Sequence, residues 1–139
     1  LDGNPGNDWT AAGFLQNAIP AGNPFTDVFA AMAGIPLVDA LVMWGLTLTG
    51  LGMMLGAFVR WSAFWGAVMM MLFWAASLQG GLAAGLPVGH GFVVDSHLVY
   101  AALLFGLGAF GAGRFLGLDA VLERFDLVGA YPRLRYLLG

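Results

Sequence analysis

The sequence predicts an all-α integral membrane protein: a helical bundle with three transmembrane helices and short interfacial helices. Three observations predict it. Of 139 residues, 60% are hydrophobic and 9% charged, where a soluble domain carries about 25% charge. The mean hydropathy is +0.82. Charged residues are absent between Asp39 and Arg60, between Arg60 and Asp95, and between Asp95 and Arg114. The runs this leaves are long enough to hold segments of the ~20 residues that cross ~30 Å of hydrocarbon. Residues 1–139 read as a single membrane domain.

The opening segment, residues 1–35, is mixed. Gly3-Asn4-Pro5-Gly6-Asn7 is turn-rich, and Asp8 or Thr10 is placed to cap a short helix holding Trp9, Phe14 and Leu15. Asn23-Pro24 is a second helix start, with Asn as N-cap and Pro at the first helical position. Phe25, Val28, Phe29 and Met32 then form one apolar stripe with Asp27 off it. Both pieces are too short to span, so they read as interfacial helices on the outer membrane face, or as a loop packed on the bundle.

The three expected spans cover residues 37–59, 62–79 and 94–113. In the first, Gly52…Gly56 is a small-xxx-small pattern that lets a neighbouring helix approach. Arg60 interrupts the apolar run, so the first two spans form an antiparallel hairpin with a connection of a few residues. Met69, Met70 and Met71 read as packing side chains. The Gly-rich stretch 79–94, which holds His90, is a loop. Beyond Arg114, residues 118–139 read as a cytoplasmic amphipathic tail. Leu118, Val121, Leu122 and Phe125 lie on one side of it, and Asp119, Glu123, Arg124 and Asp126 on the polar side.

The charges bound the function classes. All five basic residues are Arg, the net charge is −3, and no basic patch offers a nucleic-acid footprint. With no cysteine, thiolate-ligated metals and thiol redox chemistry are excluded in this chain, and no metal site is expected. Arg60, Arg114, Arg124, Arg133 and Arg135 fall at one set of helix ends, which the positive-inside rule assigns to the cytoplasm. Asp39 and Asp95 fall at the opposite ends. Three spans then leave the N-terminus outside, and no basic stretch marking a signal peptide precedes them.

Ionisable groups at the mouth of a membrane helix are functional candidates. Asp39 opens the first span, and Asp95 and His97 open the third, so all three are expected at one rim of the membrane. The competing reading makes them helix caps and interhelical hydrogen bonds. His97 and Tyr100 share a helix face at i and i+3. A histidine steered by a carboxylate suits quinone reduction, in which each electron pair takes two protons. Tyr100 is a candidate donor to a quinone carbonyl. Trp44 and Trp74 are candidates to stack on the ring, or are packing residues.

Several stretches together resemble the DoxX/DoxD family. They are Trp9-Thr10-Ala11-Ala12-Gly13-Phe14-Leu15, the Gly-rich hairpin from Val38 to Trp74, Val94-Asp95-Ser96-His97-Leu98-Val99-Tyr100-Ala101, and Gly111-Ala112-Gly113-Arg114 with Gly117-Leu118-Asp119. The absence of Lys makes haloarchaeal members the nearest in appearance. The resemblance implies four membrane helices, the first of them lying ahead of Leu1, which returns the N-terminus to the cytoplasm. It also implies the membrane subunit of a thiosulfate:quinone oxidoreductase, with membrane quinone as cofactor and the bilayer and other subunits, or further copies of the chain, as partners. Thiosulfate is a dianion, and the outward face offers acids and no Arg, so an anion site there would rest on backbone N–H groups, protonated His or a partner. The alternative is a non-catalytic subunit that anchors or stabilises a larger membrane complex. Transport lacks the expected array of paired intramembrane charges.

Overall fold

A computed structural model describes residues 9–80, 93–124, 131 and 136–138. Its elements are all helical: α1 (Ala12–Asn17), α2 (Thr26–Met32), α3 (Pro36–Leu55), α4 (Val59–Ala76), α5 (Ser96–Phe110), α6 (Gly113–Leu116) and α7 (Asp119–Leu122). His90, most of the loop 79–94, Phe125, Asp126, Arg133 and Arg135 lie outside the described residues. The chain divides into two compact units, Leu1–Trp44 with Leu72–Asp95, and Gly45–Met71 with Ser96–Gly139.

Two helices, α3 with 20 residues and α4 with 18, are long and apolar enough to cross a membrane. At 1.5 Å per residue they reach about 30 Å and 27 Å. The third expected span is shorter than its sequence run. α5 has 15 residues, about 22 Å, because Gly111 turns left-handed at φ +65° and ends it. The hairpin also turns earlier than Arg60. Gly56 (φ +63°) and Phe58 (φ +50°) reverse the chain, so Arg60 lies in the first turn of α4.

In the second unit, three close approaches set the packing. Gly45 faces the Met69 sulfur, Gly66 faces the Thr49 methyl, and Gly52 faces Ser62. Moving up α3 is therefore moving down α4, the register of an antiparallel pair. Gly66 also meets Leu104, and Gly108 meets Ala63 and Arg60, so α5 returns antiparallel to α4. A Cβ at Gly45, Gly52 or Gly108 would fall within 3 Å of a neighbouring side chain. These glycines admit the next helix, as small residues do in membrane bundles. The Met69 sulfur packs against Gly45.

In the first unit, Asn23 joins two helices. Its amide nitrogen donates to the Ala75 and Ala76 carbonyls at the C-terminus of α4 (2.9 and 3.1 Å), and its Oδ1 accepts from Phe25 N–H (2.8 Å). It is not the N-cap that Asn23-Pro24 predicted: Pro24 and Phe25 form a turn, the helix starts at Thr26, and its N-cap is Phe25, with no side-chain cap. On the predicted stripe Phe29 is buried, while Phe25 and Val28 are exposed. Phe14 of α1 meets Phe73 of α4 edge to face at 6.4 Å.

Candidate functional site

The candidate residues divide between the two units. Asp39, Trp44, Trp74 and Asp95 belong to the first, and His97 and Tyr100 to the second. Asp39 lies in the first turn of α3, where a carboxylate is favoured by the helix dipole. Its Oδ1 accepts the backbone N–H of Ala11 at 2.8 Å, which fastens the start of α1 to the start of α3. The Thr10 hydroxyl accepts the next N–H, that of Ala12, at 3.1 Å. Thr10, one of the two candidates for capping this helix, stands one residue ahead of the N-cap, which is Ala11 and carries no side-chain cap.

Trp74 donates its indole N–H to the Val93 carbonyl at 2.9 Å. This ties α4 to the residues just before Asp95. Asp95 is half-buried and stands immediately ahead of α5, a capping position. His97, half-buried, and Tyr100, 56% exposed, sit in the first turns of α5. Trp44 is 55% exposed on α3. Among the described residues, no group of three or more His, Asp or Glu side chains is placed to hold a metal ion.

Asp119, assigned by its spacing to the polar side of a surface helix, is instead fully buried. Its two oxygens accept the N–H groups of Phe58 (2.6 Å) and Val59 (3.0 Å), the first donors of α4. In return, Leu118 and Asp119 donate their own N–H groups to the carbonyls of Leu55 and Gly56 at the end of α3 (3.0 and 2.9 Å). One segment, Gly117–Asp119, thus satisfies orphan carbonyls of one helix and orphan amides of the next. It also holds Phe58 in its left-handed conformation, which costs a non-glycine residue about 1 kcal/mol or more. Gly117 and Gly56 are in backbone contact. The sequence signal for this junction is Gly117-Leu118-Asp119 itself: two turn-forming positions around an apolar residue.

Beside the junction is an open cleft of about 240 Å³. Met53, Met54, Leu55, Val59 and Leu107 line it, with the backbone of Gly56, Ala112, Gly113 and Gly117. Ligand pockets usually hold ~300–1,000 Å³, so this cleft is undersized for a cofactor. No family model, curated protein or solved structure matches this chain.

Proposed function

We propose that this chain is a membrane-embedded helical subunit of the DoxX type that anchors or stabilises a larger membrane complex. One observation carries the membrane reading. On α3, Leu37, Leu41, Trp44, Leu48, Leu51 and Leu55 are all roughly half exposed or more. In water an apolar surface of that extent would forgo burial worth on the order of 15 kcal/mol at ~25 cal/mol per Å², whereas acyl chains solvate it. The stabilising role is supported by how the polar side chains are used. Asp39, Asn23, Trp74 and Asp119 all spend hydrogen bonds on backbone groups that fasten one segment to another.

The positive-inside rule orients the chain with the Arg60 and Arg114 ends in the cytoplasm. The chain has no cysteine, so single cysteines can be introduced without background. Leu48→Cys should resist maleimide in intact membranes and react in SDS. Tyr136→Cys should react with an impermeant maleimide only after the cytoplasmic side is opened. Release of the protein from membranes by alkaline carbonate would refute the reading. A stabilising role further requires that mild detergent extract a particle heavier than the single chain.

A second reading, a quinone-linked oxidoreductase subunit with thiosulfate as electron source, is favoured by the exposed Tyr100 ring one turn beyond His97. In it His97 relays the protons quinone takes up and Tyr100 donates to a quinone carbonyl. Quinone reduction by thiosulfate in membranes should fall by at least tenfold in His97→Ala, and unchanged turnover at equal protein level would exclude it.

A further inference from the structure

We propose that the start of α4 is a binding site for the phosphate of an anionic phospholipid, built from Arg60 and the aromatic cluster Trp61, Phe64 and Trp65. The proposal rests on the membrane reading. On a helix, Arg60 and Phe64 are one turn apart on one stripe, and Trp61 and Trp65 form the adjoining stripe. The rings form a single cluster: Trp61 meets Trp65 at 5.7 Å and Trp65 meets Phe64 at 5.4 Å, both edge to face. All three are exposed by more than two fifths. Helical side chains tilt toward the N-terminus, so this cluster leans toward the end of α4, the headgroup depth that amphipathic aromatic rings favour.

The cation is presented, not buried. Arg60 Nε donates to the Gly108 carbonyl on α5 at 3.3 Å, which orients the guanidinium. Among the described residues, nothing further takes its Nη groups, and a fork of N–H donors matches phosphate oxygens. The helix N-terminus itself is not the anion site. Its first amides are bound to Asp119, and Trp61 N–H donates to the Leu137 carbonyl at 3.4 Å. Among the described residues, Asp119 is engaged by those amides, and Glu123 by Arg114 at 2.7 Å. Charge complementarity therefore falls to Arg60, with the rings covering the lipid's upper acyl and glycerol portion.

The test uses the full chain in neutral detergent and counts bound short-chain phosphatidylglycerol by native mass spectrometry, against phosphatidylcholine and inorganic phosphate. Wild type should prefer phosphatidylglycerol to both. Arg60→Gln should bind it about fivefold more weakly, the effect of one basic group near an anionic lipid surface. Arg124→Gln, which removes the same charge from an exposed position, should bind as wild type. Arg60→Lys keeps the charge without the fork and should fall between wild type and Arg60→Gln. Equal losses in Arg60→Gln and Arg124→Gln, no loss in Arg60→Gln, full binding by Arg60→Lys, or equal binding of the two lipids would each overturn the proposal. A wild type that stays in membranes at alkaline pH yet shows no lipid preference fails this site alone. One released by carbonate fails the membrane reading itself.

Discussion

Removing the Asp119 carboxylate should be the most damaging single change in the second unit. Asp119→Ala deletes two charge-assisted hydrogen bonds, to Phe58 and Val59 N–H, each contributing ~1.5–3 kcal/mol. It also leaves those amides without their acceptor at a buried junction and releases Phe58 from a conformation that needs support. The expected loss is about 3–6 kcal/mol, a large share of the ~5–15 kcal/mol that holds a domain folded. At roughly 3 °C per kcal/mol for a chain of this size, Tm should fall by about 10–18 °C. Asp119→Asn should recover little, because its amide nitrogen turns a donor toward a backbone donor. Thermal unfolding in detergent, followed by far-UV circular dichroism, measures both. A drop under about 3 °C for Asp119→Ala would refute the idea that this carboxylate joins α3, α4 and the C-terminal segment.

Two further substitutions probe neighbouring claims. Gly117→Ala places a Cβ against the backbone of Gly56, which cannot yield as a side-chain tip does, so a loss of about 2–3 kcal/mol is expected. Gly106→Ala, on α5 with nothing within 4 Å, should be neutral or stabilising, and equal effects at the two sites would discredit the close-approach account. Asp39→Ala removes the acceptor of Ala11 N–H and should cost about 0.5–2 kcal/mol, as capping losses do. The loss should appear as faster hydrogen exchange over Ala12–Asn17, and unchanged exchange there would show that Asp39 does not hold α1.

Composition and charge spacing alone determined the helical class, the apolar runs, the antiparallel hairpin and the functions excluded by missing cysteine. These depend on short-range physics: a helix satisfies its backbone groups within one run of residues, so a long uncharged run carries its own signal. Asn23-Pro24 marked a helix start for the same reason, with Pro24 two residues ahead of where α2 begins. Where the helices stop, and which acids are structural, were decided by contacts distant in the chain. Asp119 has the spacing of a solvated residue, yet 60 residues separate it from the Val59 amide it binds. Arg60 looks like a turn residue until Gly56 and Phe58 turn the chain ahead of it. Of the candidate site, the sequence supplied the residue types and the His97–Tyr100 face. The partner of Asp39, a backbone amide of residue 11, emerged only in the folded chain, because a hydrogen bond across 28 residues leaves no periodicity to read.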